Sequence, residues 1–370
     1  MSGLMPSLSL PIHPRARAAL LALVVIAHGC GGADKSGSQA TAPAEGAAEA
    51  EPEALSLTLG AYTTPREAYG KAILPAYLKQ QRAQGAKPIA FKESYLGSGA
   101  QARAIIGGFE ADVAALSLEP DIEKIRSAGL IKRDWKAGEH AGTISRSIVV
   151  IGVRKGNPKK ILEWDDLARP GIEVLTPDVR TSGGAMWNIA AIYGAALRGH
   201  TKKVKQDDQQ GATQLIGAVL RNVKILDRGA RESLLNFERG VADAIITYEN
   251  EILVGRSKGQ DYEYVIPQST ILIENPVAVV DVYADRHGTR AAADAFVAFL
   301  HTPAAQRAFA EYGLRPVVPE VATEVAARFP AVTDLFTIRD LGDWKQVQRV
   351  LFDKGAAYDA AIASTQGAGQ

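Results

Sequence analysis

The stretch Ile172-Glu173-Val174-Leu175-Thr176-Pro177-Asp178-Val179-Arg180-Thr181-Ser182-Gly183-Gly184-Ala185-Met186-Trp187-Asn188 reads as a short strand, a turn, and a Ser-Gly-Gly that opens a helix. The helix continues through Ala190, Ala191, Ala195 and Leu197. The first turn of any helix leaves backbone N–H groups without partners, and the helix dipole places partial positive charge there. Two glycines let an anion come close to that backbone, and the Ser182 hydroxyl adds a donor. By itself such a start is an ordinary N-cap.

Three further turns repeat the form. Tyr95-Leu96-Gly97-Ser98-Gly99-Ala100-Gln101-Ala102 feeds a helix with apolar Ala104, Ile105 and Ile106. Asp227-Arg228-Gly229-Ala230-Arg231-Glu232 follows the strand candidate Val223–Leu226 and opens a helix with Leu234, Leu235 and Phe237. Leu57-Thr58-Leu59-Gly60-Ala61-Tyr62 runs into Thr63-Thr64-Pro65-Arg66, where Pro stands at a helix start. Four strand-to-helix turns with small or hydroxyl residues predict several helix N-termini converging on one small anion.

The chain has 370 residues, 46% hydrophobic, with a formal net charge of +1. That length suffices for two core-forming domains, and the near-neutral charge gives no reason to expect nucleic acid or bulk membrane-surface binding. Arg15 and Arg17 precede the apolar run Ala18–Ala27, which is too short to span a bilayer, so residues 1–29 read as a secretory signal peptide. Cys30, the single cysteine, stands just after Ala27-His28-Gly29, where lipoprotein signals carry the lipidated cysteine. Residues 30–54, rich in Gly, Ala, Ser, Pro and Glu, read as a flexible tether.

From Leu55 onward strand and helix patterns alternate, which predicts an α/β fold with largely parallel sheets and ligands at the carboxyl ends of strands. The apolar runs Ile148–Val153 and Val277–Val280 bracket a second α/β series and are expected to cross between two lobes as hinge strands. Residues 55–150 and 275–362, with the C-terminal helices, form the expected first lobe; residues 151–274 form the second. No metalloprotease, Walker A or nucleophile-elbow pattern is present, and the histidines are scattered, so the sequence points away from catalysis and implies neither a cofactor nor a metal.

Ordered motifs along Leu55–Tyr358 resemble the sulfate-binding proteins of bacterial ABC importers. They are Gly97-Ser98-Gly99-Ala100-Gln101, Val153-Arg154-Lys155-Gly156-Asn157-Pro158-Lys159, Trp164-Asp165-Asp166-Leu167, Thr181–Asn188, Leu226–Arg231, Glu249-Asn250-Glu251 and Pro276–Asp281. The resemblance implies a two-lobed, type II periplasmic-binding-protein-like fold with mixed, mostly parallel sheets. It implies a monomeric extracytoplasmic receptor that closes around a dehydrated oxyanion and docks on a membrane permease. The implied donors are uncharged: the N–H of Thr63, the hydroxyls of Ser98 and Ser182, the N–H groups of Gly183, Gly184 and Ala230, and the side chain of Tyr248.

Two departures stand out. Thr63 replaces the family's Asp, which a backbone contribution tolerates. Tyr248 stands where the family has a Trp. Indole N–H only donates, whereas a phenol donates or accepts. Sulfate only accepts hydrogen bonds, so a donor-only pocket suits it and rejects phosphate, whose proton would face no acceptor. Tyr248 either preserves that selectivity or loosens it towards molybdate, tungstate or thiosulfate; the related molybdate-binding proteins also use a Tyr hydroxyl. Were the ligand an organic acid or sulfonate, Arg180, Arg228 and Arg231 would be contacts; otherwise they pair with nearby carboxylates.

Overall fold

The computed structural model of the chain describes residues 54–366. The expected export signal, Cys30 and the linker up to residue 53 lie outside the described residues. Within them, no helix is long and apolar enough to cross a membrane.

Strands β1 (Leu55–Tyr62) and β2 (Ile89–Leu96) pair in parallel, and β3 (Val113–Ala115) lies parallel on the other side of β1. Two longer strands follow in space, β4 (Thr143–Arg154) and β9 (Ser269–Val279). A second parallel group has β5 (Val174–Pro177) between β6 (Val223–Asp227) and β7 (Ala244–Tyr248). Strand β8 (Tyr262–Val265) pairs with β4, and β10 (Asp334–Phe336) with the start of β9. The order β2-β1-β3-β9-β4-β7-β5-β6 is one continuous ten-stranded path in a mixed α/β fold, a sheet with parallel β2-β1-β3 and a sheet with parallel β7-β5-β6 joined through the antiparallel strands β9 and β4.

The strands that join the sheets differ in detail from the expectation. Val149–Val153 is anchored against β7, and Val277–Val279 against β3. The crossing itself is the antiparallel pairing of Thr143–Ile148 with Leu272–Pro276. The apolar runs are apolar because both faces of a sheet cover them. The crossing carries buried polar residues instead, and the Ser145 hydroxyl donates to Asn275 Oδ1 at 3.3 Å.

Period-two alternation divides each sheet between two cores. Val113, Ala115, Val277 and Val279 face a core with Leu57, Leu59, Tyr69, Tyr77, Phe296 and Phe309. Ala114, Ala278 and Val280 face the opposite one with Ile105, Ile122 and Ile125. In the other sheet Val149, Ile151, Val153, Ala244 and Ile246 face one core, and Ile148, Val150 and Ile245 the other. Trp164 and Trp187 are core residues.

The helices Arg290–Leu300 and Pro303–Glu311 share the core of β1 and β3, but the last elements, also expected on the first lobe, pack elsewhere. Trp344, Val347, Leu351, Phe352, Tyr358 and Ala361 share a core with Trp187, Ile192, Leu215 and Val219. The indoles of Trp187 and Trp344 meet edge to face at 4.7 Å between ring centres. The physical reason lies in the Gly183–Leu197 helix, which is buried at every position from Gly183 to Ala196 and needs cover on all sides. The segment that begins at Trp344 is broken before Ala357–Gln366, with Gly355 at φ 80° supplying the left-handed turn.

Candidate functional site

All four turns singled out in the sequence meet in one place. Thr63 follows β1, Gly97 and Ser98 follow β2, Ser182 follows β5, and Ala230 follows β6. Tyr248 closes β7. A Cβ built on Gly97 would lie 2.5 Å from the carbonyl oxygen of Thr181 and 3.0 Å from that of Arg228, so the Gly97 turn abuts both turns of the other sheet. A Cβ on Gly229 would meet Thr63 Oγ1 at 3.6 Å. One on Gly184 would meet Tyr248 Cε2 at 2.9 Å, Ala230 Cβ at 3.4 Å and Ser182 Oγ at 3.4 Å. Only glycine at 97 and 184 allows this approach.

Short-range bonds hold the turns in shape. The N–H of Ser182 donates to the Asp178 carbonyl at 2.9 Å, and the N–H of Asp178 donates to the Asp227 carbonyl at 2.7 Å. Asp227 in turn accepts from Ser233 Oγ at 2.7 Å and Asn236 Nδ2 at 2.6 Å, which fixes the start of the Ala230–Glu238 helix. Ser182 stands at the N-cap of the Gly183–Leu197 helix, yet its hydroxyl does not cap that helix. The N–H groups of Gly183 and Gly184 therefore point out of the helix start with the Ser182 hydroxyl beside them.

The Ser98 hydroxyl is engaged within the protein. Its hydroxyl donates to the buried Asp121 at 2.6 Å and accepts from the Ser117 N–H at 3.1 Å. The Gly97 turn still offers the N–H groups at the start of the Ser98–Ile106 helix. Lys124 pairs with Asp121 at 2.8 Å, so the carboxylate is compensated.

Ser117 is the site residue the sequence reading misses. Leu116-Ser117-Leu118 reads as the end of a strand over Ala111–Leu118, but β3 stops at Ala115 and Ser117 lies in a fifth strand-to-helix turn. Pro120, in the first turn of the Glu119–Ser127 helix, is the signal that marks it. Ser117 Oγ lies 2.6 Å from the hydroxyl of Tyr248, and its carbonyl accepts from Trp187 Nε1 at 3.1 Å. Tyr248 is buried, and burial holds its phenol well above the ordinary tyrosine value, so it stays protonated. Burial raises Tyr62 likewise, reinforced by Tyr248, whose ring centre is 6.3 Å away.

Two of the three arginines beside the turns pair with carboxylates. Arg180 bonds Asp359 and the Phe352 carbonyl, and Arg231 Nη2 lies 3.1 Å from the buried Glu251. Arg228 is exposed. Glu251 is pushed up by burial and drawn back by Arg231. No group of three or more metal-ligating side chains occurs among the described residues.

Two mostly parallel sheets joined by crossing strands, with a cradle of helix starts between them, define a solute-binding protein. The chain belongs to the bacterial extracellular solute-binding protein family, whose profile matches residues 57–315. It is 39% identical to the sulfate-binding protein of Synechococcus elongatus over 349 residues, covering 94% of this chain and 95% of that one. It is 33% identical to the thiosulfate-binding protein of Pseudomonas aeruginosa, over 85% of this chain and 93% of the other. The fold superposes on the sulfate-binding protein SubI of Mycobacterium tuberculosis H37Rv with a TM-score of 0.73 at 38% identity, covering 80% of this chain and 99% of that one.

Proposed function

We propose that this chain is a receptor that captures sulfate between its two lobes and delivers it to the permease of an ABC importer. The observation that carries the reading is the convergence of uncharged donors: the N–H groups of Thr63, Gly183, Gly184 and Ala230, the Ser182 hydroxyl and the Tyr248 phenol. Sulfate at neutral pH presents only acceptors, and oriented dipoles disperse its charge without a counter-ion. The nearby carboxylates Asp121 and Glu251 each have a cationic partner, so neither opposes an anion with uncompensated charge. The similarity to sulfate-binding proteins supports the same ligand.

Ser98 contributes its hydroxyl only if its hydrogen, now directed at Asp121, turns towards the anion. Opening and closing occur about the crossing pair, Thr143–Ile148 with Leu272–Pro276. The first lobe comprises β1 to β3 and the helices over Asp281–Glu311. The second comprises residues 151–274 together with the C-terminal segment packed on it. Lipidation of Cys30 would tether the receptor to a membrane outside the cytoplasm.

The second reading, thiosulfate, is favoured by Tyr248 in place of the family Trp and by the thiosulfate-binding relatives. Equilibrium dialysis with labelled sulfate, in competition with thiosulfate and molybdate, tests both. Displacement only by a large excess of either competitor supports sulfate; displacement at equal concentration overturns that choice.

A further inference from the structure

We infer that Ser117 is a specificity-determining residue that makes Tyr248 a donor-only group, a role that rests on the oxyanion reading of the site. Tyr248, like the Ser182 hydroxyl, belongs to a group that both donates and accepts, and its oxygen can accept a hydrogen bond from the proton that phosphate retains and sulfate lacks. The neighbour that removes this ambiguity is in place. Ser117 Oγ is 2.6 Å from the Tyr248 oxygen, and both residues are 1% exposed.

Ser117 is fixed from every side. Its N–H donates to Ser98 Oγ at 3.1 Å, and its carbonyl accepts from Trp187 Nε1 at 3.1 Å and Asn275 Nδ2 at 3.3 Å. With both backbone groups engaged, the side chain is held at the cradle. A Cβ built on Gly183 would lie 2.7 Å from Ser117 Oγ, which puts this hydroxyl against the first residue of the Gly183–Leu197 helix. Tyr248 stands equally close over Gly184. The two hydroxyls therefore lie together across the helix start that holds the anion.

Two hydroxyls in contact share one hydrogen and keep one for another partner. The phenol is the stronger acid and so the stronger donor, and the anion is the stronger acceptor. The favoured arrangement is Ser117 O–H donating to the Tyr248 oxygen, with the phenol hydrogen directed at the anion. Each bond then polarises the next. The in-plane lone pair of the phenol is occupied by Ser117, and Tyr248 presents only a hydrogen, as an indole would. Ser117 belongs to the β3 turn and Tyr248 to β7, so the pair ties the two halves of the cradle together.

The test compares wild type, Ser117→Ala, Tyr248→Phe and the double variant by calorimetric titration with sulfate and, at slightly alkaline pH, with hydrogen phosphate. Ser117→Ala is expected to weaken sulfate by about threefold to tenfold and to lower the sulfate-to-phosphate affinity ratio by about tenfold or more. In the Tyr248→Phe background, Ser117→Ala is expected to have no further effect. Parallel losses for both anions, or additive losses in the double variant, would show that Ser117 only supports the turn and would overturn the proposal. Wild-type protein that binds none of sulfate, thiosulfate and molybdate would instead overturn the oxyanion reading, and this role with it.

Discussion

Gly97 presses against the carbonyl oxygen of Thr181, leaving no room for a methyl group between the two turns. Its own backbone, at φ −57° and ψ 142°, suits any residue, so the glycine is required by the approach of the other turn and not by local strain. Gly97→Ala is expected to leave the melting temperature within ~2 °C of wild type while weakening anion binding about tenfold to a hundredfold, the range of an overpacked contact. Equal affinity with an unchanged melting temperature would show that the turns do not need to meet.

Ser182 supplies a hydroxyl that its own helix does not use. Ser182→Ala is expected to weaken sulfate by about 1–3 kcal/mol, the loss of a hydrogen bond to a charged group, with Ser182→Thr largely restoring it. Titration of the two variants measures this directly.

Arg315 clasps Glu249 with two bonds of 2.7 and 2.9 Å, and the carboxylate is fully buried beside Tyr248. Burial raises the Glu249 carboxyl against the pull of Arg315. Removing the cation strands a buried charge. Arg315→Met is expected to cost about 3–5 kcal/mol in denaturant unfolding, and Arg315→Met with Glu249→Gln to recover part of that.

The strands were legible because β-branched runs and Gly or Pro turns punctuate them, and so were the four turns that form the cradle. Ser117 was not, since one small polar residue between two leucines looks like strand. Arg231 was read as pairing with a nearby carboxylate, and it pairs with Glu251. The helix Glu249–Ser257 was missed because its acidic start resembles a solvated loop, whereas Glu249 and Glu251 are buried against arginines distant in sequence. The C-terminal helix was misplaced for a related reason. Amphipathic spacing shows which face is buried but not what covers it.

His287 lies between two carboxylates, with Nδ1 2.8 Å from Asp112 and Nε2 2.8 Å from Glu110. Thr289 and the Thr58 N–H also bond Asp112, and Arg286 bonds Glu110. The Asp112 bond raises the imidazole above its ordinary value, burial opposes this, and Glu110 adds to it. A group raised in the folded state stabilises below its unfolded value of about 6.5, and that stability is lost as pH rises through the folded value. Melting temperature is therefore expected to fall over this alkaline limb in wild type and to fall less in His287→Gln.

The most direct test of the central claim is calorimetric titration of residues 53–370, stripped of bound anion, with sulfate and then with phosphate. One saturable sulfate site with no phosphate heat is the result expected of a cradle of neutral donors. Binding of phosphate as tightly as sulfate, or no response to sulfate at all, would contradict it.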